Sequence, residues 1–215
     1  MRKFYFLFLG VFISACGVGT LKQDSGFGDI RAAFANRSSS ESPPVDPRDV
    51  LTRDVINAAG IPLILVDIPS RQQSGTMTRL QVSTNGEYWI GADGSSLRFE
   101  NGSLVESRGM GHDLIKATPM IQNVDGKDFH TRHWQYLDGF NREIVVSATC
   151  SISQKDTQIF ENIGRKYNSL LIEETCVSKD HSFVNKYWIA SNGLVSKSVQ
   201  WHSAAVGFMT ITRLY

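Results

Sequence analysis

The stretch STNGEYWIGADGSSLRFENGSLVESR, residues 83–108, decides the fold class. Asn85-Gly86, Asp93-Gly94 and Asn101-Gly102 recur in it about every eight residues, with short alternating apolar and polar runs between them. Asn-Gly and Asp-Gly accept the positive φ that a two-residue hairpin turn demands, so each unit reads as strand, turn, strand. The same grammar returns at Asp125-Gly126, Asp138-Gly139 and Asn192-Gly193. Strands are expected at 78–83, 87–91, 96–100, 103–108, 129–137, 142–153, 169–177, 183–190, 194–202 and 206–214. Hairpin follows hairpin without helical crossovers, which requires an antiparallel sheet, and a sheet so wide must curl or close to protect its edges. The expected class is mainly β: an antiparallel meander of about ten strands forming a curled sheet, half-barrel or barrel, with one or two short helices.

Working towards the N-terminus, Asp46-Pro47 has the form of a helix cap followed by a first-turn proline, and Val50, Leu51, Val55 and Ile56 recur at helical spacing. A single helix is expected to run to Ala59, with Gly60 and Pro62 as its stop and Leu63-Ile64-Leu65-Val66 as a buried strand. One segment interrupts the meander. In Arg108-Gly109-Met110-Gly111-His112-Asp113-Leu114-Ile115-Lys116, two glycines precede a polar pair and an apolar turn, which predicts a tight bend and a short helix against the sheet. It is not a phosphate loop, because a third glycine, a Lys-Ser/Thr and a βαβ setting are all missing.

The first sixteen residues form an export signal. Arg2 and Lys3 precede an apolar run from Phe4 to Val11, and Ile13-Ser14-Ala15-Cys16 has the form of a lipobox. The run is shorter than the roughly 20 residues that span a bilayer, so residues 1–15 read as a cleaved signal peptide and Cys16 as the lipidated N-terminus. Acyl chains add about 0.8 kcal/mol per buried methylene, enough for several chains to anchor the protein stably. An ordinary secretory signal, with Cys16 incidental, is the plainer alternative. Gly17 stands where an Asp would signal inner-membrane retention, which favours the outer membrane with the chain facing the periplasm of a Gram-negative bacterium. Residues 16–46 are rich in Gly, Ser, Asp, Arg and Pro and read as a flexible tether, with a possible short helix at 29–35. Residues 47–215 remain as a single β-rich domain, large enough to bury a core without metal or several disulfides.

Charge is close to balance, with 22 Lys and Arg against 21 Asp and Glu, which argues against nucleic acid as a partner. With Cys16 lipidated, Cys150 and Cys176 remain as an even pair in an oxidising compartment, and a disulfide between them is expected. On the chain-entropy estimate it would add roughly 3 to 4 kcal/mol, two buried thiols being the alternative. No CxxC pair or patterned His accompanies them, so zinc and redox catalysis are not expected.

No catalytic constellation stands out. His130 and His133 are three apart, which on a strand sends them to opposite faces, so no metal site and no cofactor is expected. Glu173 and Glu174 alternate faces in the same way, and no GxSxG elbow occurs. Trp89, Trp134, Trp188 and Trp201 lie on expected strands and form a candidate surface for sugar rings or a partner, with core packing as the plainer use. Gly109, Gly111 and Asp113 join them as candidate surface residues.

Several blocks in order resemble the YjbF/GfcB lipoproteins of group 4 capsule and exopolysaccharide clusters. They are the lipobox leader, the early helix, Trp89 with Gly91-Ala92-Asp93-Gly94, Asn101-Gly102, and Gly109-Met110-Gly111-His112-Asp113-Leu114. Asn185-Lys186-Tyr187-Trp188 and Gly193-Leu194-Val195-Ser196-Lys197-Ser198-Val199-Gln200-Trp201 complete the pattern. The resemblance covers nearly the whole mature domain and implies a non-enzymatic role in assembly or export of a surface polysaccharide. The implied partners are the outer membrane, an outer-membrane β-barrel of the same system, and the glycan itself. The Ser/Pro tether and the Cys150/Cys176 pair are departures from that pattern. Two other readings stay open. An acyl-chain or lipoprotein carrier would need an apolar cavity of a few hundred Å³ inside the curled sheet. A glycan-processing enzyme would need paired carboxylates in a cleft.

Overall fold

The structure is a computed structural model that describes residues 45–84, 86–120, 129–138, 140 and 142–215. The leader, Cys16, most of the tether, the helix expected at 29–35 and the Asp125-Gly126 turn lie outside the described residues.

Two short helices precede the sheet where the spacing predicts one. α1 (Pro47–Val50) is capped by Asp46, whose carboxylate accepts from the Arg48 amide at 2.8 Å, and α2 (Arg53–Ala59) is capped by the Thr52 hydroxyl accepting from Val55. The break comes from Leu51, which leaves the helix in an extended conformation and buries its side chain, so that Thr52 can cap a second start. Gly60, at φ 62°, ends α2 in the left-handed region. Leu51 and Ile56 pack on Leu63, Leu65 and Leu214. The opposite face of the first strand, Ile64, Val66 and Ile68, enters the main core. Burial on both faces explains the unbroken apolar run at 63–66.

Twelve strands follow: β1 (Leu63–Ile68), β2 (Gln73–Ser83), β3 (Gly86–Gly91), β4 (Ser96–Glu100), β5 (Ser103–Arg108), β6 (Leu114–Ala117), β7 (Phe129–Leu137), β8 (Glu143–Asn162), β9 (Arg165–Ser178), β10 (Ser182–Ala190), β11 (Val195–Ser203) and β12 (Gly207–Arg213). They make one antiparallel sheet in the order β5-β4-β3-β2-β1-β12-β11-β10-β9-β8-β7-β6, a nearly closed barrel. Two meanders, β1–β5 and β6–β12, are thus joined by their outermost members. β1 and β12 pair through Ile64 with Arg213, Leu65 with Thr212 and Val66 with Ile211. The helix expected around Leu114 is instead strand β6, paired with β7 through Leu114 with Tyr136 and Ala117 with Trp134. Asp113 explains the change: its two oxygens accept the Gly109 and Met110 amides at 2.9 and 2.7 Å, completing the bend before Leu114 and leaving that residue free to extend.

Side chains join β5 to β6 where backbone pairing stops. Ser107 Oγ accepts the Leu114 amide at 2.9 Å, Arg108 donates to the Leu114 carbonyl at 2.9 Å, and Ser103 Oγ accepts the Met120 amide at 2.9 Å. Gln200, reaching across the interior from β11, accepts from the Leu104 amide at 2.8 Å and donates to the Gly102 carbonyl at 2.9 Å. The β4–β5 turn therefore presses into the interior, and a Cβ on Gly102 would come within 2.3 Å of Val195.

The longest hairpin, β8–β9, turns at Ile163-Gly164, both at positive φ. A β-branched residue there is a poor hairpin signal, and these strands run well past the expected limits. The hairpin tip lies against the outer face. Arg53 donates to the carbonyls of Asn162, Ile163 and Leu214, Tyr167 donates to the Arg213 carbonyl, and Phe160 stacks on Tyr167 at 4.9 Å. Cys150 and Cys176 face each other in register across this hairpin and form the expected disulfide.

Candidate functional site

Alternation places the C-terminal ends of β1, β3, β5 and β7 at one end of the barrel, here called the mouth. A cleft of about 510 Å³ opens there. Val66, Ile68, Met77 and Met110 give it apolar lining; Arg71, Gln72, Gln73, Ser74, Asp93 and Ser95 give it hydrogen-bonding groups. Gly75, Gly91 and Gly109 leave backbone exposed along its wall. Two blocks read from the sequence converge on it. The Asp93 carboxylate accepts the Ser95 amide at 2.9 Å and its hydroxyl at 2.7 Å, while the Gly91 amide donates to the Ser95 carbonyl. Gly109, at φ 79°, rests against Ser95 so closely that a Cβ would stand 3.2 Å from its Cα. Arg71 ties the second block to the first helical turn after β1 by donating to the Met110 carbonyl at 2.7 Å. Gly109 thus lines the cleft, and Gly111 and Asp113 shape the turn beside it.

Beneath this turn, Ser107 Oγ lies 2.9 Å from His202 Nε2. The pair has the spacing of a nucleophile and its base, but the surroundings assign it another task. Both residues are sealed from solvent, Ser107 also accepts the Leu114 amide, and the other His202 nitrogen faces the Ser203 hydroxyl instead of a carboxylate. Burial, followed by the neighbouring His112, pushes the His202 pKa down to about 4, so the ring is neutral, sharing one hydrogen bond with Ser107 and one with Ser203. Burial also raises the Tyr136 phenol well above its usual range, and its hydroxyl donates to the His202 carbonyl.

Deeper inside, Glu174, Arg132 and His130 form a polar network with Asn185, Tyr187 and Gln200 of the C-terminal sequence blocks. Glu174, fully buried, accepts from Arg132 at 2.7 Å and Asn185 at 2.8 Å, with His130 Nε2 at 2.8 Å. Arg132 also donates to the Thr118 carbonyl and lies 4.8 Å from the Trp134 ring centre. Asn185 accepts the Trp201 amide, and Tyr187 bridges Glu174 and Gln200 at 3.4 Å each. Alternation separates the neighbours as expected: Glu173 meets Lys155 and Lys186 outside, and His133 meets Ser147 outside. What sequence reasoning missed is that Glu174 and His130 belong together. Their strands are neighbours of β8 on opposite sides, a relation that no local spacing carries. His130, Cys150 and Glu174 offer three potential metal ligands within 4.8 Å of one another, but the Cys150 sulfur is bonded to Cys176 and Arg132 already neutralises Glu174.

The four tryptophans divide. Trp89, Trp134 and Trp201 lie in the core, where Trp134 meets Trp201 edge-on at 5.5 Å and Trp201 stacks on Phe183 at 4.6 Å. Their alternation aims them inward, so they offer no ligand face. Trp188, half-buried outside, donates to Gln158 and lies under the Lys197 ammonium at 4.9 Å. The interior is also well filled away from the mouth cleft. Among the described residues it is packed by this network and the aromatic core, and the gap between Ile64, Trp89, Phe99 and Val195 holds about 10 Å³, room for no more than one water.

The fold is shared with a solved structure. The crystal structure of the hypothetical lipoprotein YmcC from Escherichia coli superposes with a TM-score of 0.69 at 16% identity, covering 91% of this chain and 97% of that one. An exported-protein structure with a YmcC-like fold from Bacteroides fragilis aligns over 71% of this chain and 92% of that one, at 8% identity and a TM-score of 0.36. No curated protein matches. The family model described as "Group 4 capsule polysaccharide lipoprotein gfcB, YjbF" matches residues 27–214, which takes in every block that forms the mouth and the buried network. The chain belongs to the YjbF/GfcB family of group 4 capsule polysaccharide lipoproteins.

Proposed function

We propose that this protein is acylated at Cys16, anchored to the outer membrane facing the periplasm, and assists capsule or exopolysaccharide export by holding the glycan at the mouth cleft without cleaving it. The mixed lining of that cleft carries the reading. A sugar chain presents hydroxyls along its edges and C–H faces on its rings, and the cleft offers Arg71, Gln73, Ser74 and Asp93 beside Val66, Met77 and Met110. The domain acts as a tethered holder: the anchor sets its location, the tether its reach, and the cleft its grip. An outer-membrane β-barrel of the same system would receive the glycan from it.

Gly75 allows a direct test. It lines the cleft on β2, opposite Val66, and a Cβ there meets nothing within 4 Å, so a large side chain can fill the cleft without disturbing the barrel. Gly75→Phe is expected to reduce surface polysaccharide as far as gene deletion does, and to abolish calorimetric binding of purified capsule oligosaccharide. Normal polysaccharide in the deletion strain would overturn the export role. Loss in the deletion with none in Gly75→Phe would move the site away from the cleft.

A further inference from the structure

The mouth also carries exposed apolar side chains. Phe140, at the tip of the β7–β8 hairpin, is 82% exposed, the highest value for a large apolar residue among those described. Leu137, Ile144 and Val145, at the adjoining ends of β7 and β8, are 45%, 43% and 48% exposed, Ile144 on the face opposite to the other two. Arg142 lies 5.4 Å from the Phe140 ring, and its side chain is 75% exposed while paired with Asp138. Asp138 is held below its usual pKa by the Arg142 backbone amide, assisted by the Arg142 guanidinium and the Phe140 amide. The tip therefore presents a protruding ring, an aliphatic collar and a neutralised charge pair.

From these features we infer that the mouth end rests on a lipid bilayer, with Phe140 and its collar inserted at the headgroup boundary. The entry point of the chain names this occupant. The described domain begins at Val45, which lines the mouth cleft, so the tether leaves from the same end as the apolar tip. Between Cys16 and Val45 lie about 30 residues, and a flexible chain of that length has a root-mean-square span of about 30 Å. That matches the length of a nine-residue strand such as β7, about 30 Å. A barrel whose tether leaves from this end can meet its own membrane there. Phe140, the most exposed large apolar side chain among the described residues, stands at that end, whereas Leu80, Val82, Phe129 and Ile159 are exposed along strands towards the other. Arg142 stands where it can take a lipid phosphate in place of Asp138.

This inference rests on the lipid-anchor reading, and its test is built to fail separately. The mature full chain carrying Cys16→Ser, which cannot be acylated, is mixed with vesicles of phosphatidylethanolamine and phosphatidylglycerol (3:1) and floated through a density gradient. The expected result is measurable flotation that survives 0.5 M salt and falls at least fivefold in Phe140→Ser, with an unchanged far-ultraviolet spectrum in that exposed variant. A chain that stays at the bottom of the gradient overturns the proposal, as does equal flotation of Phe140→Ser or complete loss in salt. Whether Cys16 is acylated is read independently, from the mass of the N-terminal peptide of protein extracted from membranes.

Discussion

The barrel closes twice, by different means. At β1–β12 the backbone closes it, with a register of consecutive pairs from Ile64 with Arg213 to Asp67 with Thr210. At β5–β6 side chains do so: Ser103, Ser107, Arg108 and Gln200 bond to backbone groups that a paired strand would otherwise satisfy. A backbone seam depends little on residue identity, since every non-proline residue brings a donor and an acceptor. A side-chain seam depends on a few residues of particular length and chemistry. Of these, Gln200 belongs to a block that carries the family resemblance and bonds to Gly102 in another, which gives those two blocks a structural reason to exist. The side-chain seam also reaches the mouth, through Ser107, Arg108 and Leu114.

The largest effect is expected at the network behind the side-chain seam. Glu174→Ala strands the Arg132 guanidinium in the core and should cost about 3–5 kcal/mol in urea unfolding at pH 7, and Glu174→Gln distinctly less because it still accepts hydrogen bonds. A Glu174→Ala variant as stable as the wild type would show that the network carries no such role. Gln200→Leu keeps the volume but orphans the Leu104 amide and the Gly102 carbonyl, for a loss of about 2–4 kcal/mol. In native-state hydrogen exchange it should speed the Leu104, Leu114 and Met120 amides while those of Leu65 and Thr212 still exchange only by global unfolding. Uniform acceleration at both seams would erase the distinction between them.

The third prediction concerns pH. His202 is neutral in the fold with a pKa of about 4 against 6.5 when free, so the unfolded chain binds the extra proton first. Its contribution to stability is complete above pH 6.5 and is lost as pH falls towards 4, by on the order of 3 kcal/mol in all. His202→Gln should flatten that part of the stability profile relative to the wild type, and parallel profiles would reassign the acid sensitivity to the carboxylates. The smallest effect is expected from Ser107→Ala, about 1–2 kcal/mol, because it removes one bond each to Leu114 and His202.

Much of this architecture was legible in order along the chain. The hairpins at Asp93-Gly94, Asn101-Gly102 and Asn192-Gly193 stand where their turn dipeptides put them, and the class, the alternation of His130 with His133, and the pairing of Cys150 with Cys176 follow from local rules. The misreadings also have local causes. Leu51 is apolar at helical spacing yet leaves the helix to reach the outer face of β1, and Leu114-Ile115-Lys116 is as acceptable to a strand as to a helix until β7 stands beside it. The tryptophans could be placed on strands, but their burial depended on which face the closed barrel turned inward.

By itself, the amino-acid sequence determined the strand grammar, the antiparallel class and the family, because turns, alternation and motifs act over a few residues. Tertiary structure alone decided that β12 returns to β1, that Gln200 reaches a turn almost a hundred positions earlier, and that Glu174, His130 and Arg132 share one buried site. The physical reason is closure. Bending a sheet into a barrel brings together side chains whose separation along the chain carries no information about their contact. The mouth cleft, assembled from four separate segments, exists only once that bending is complete.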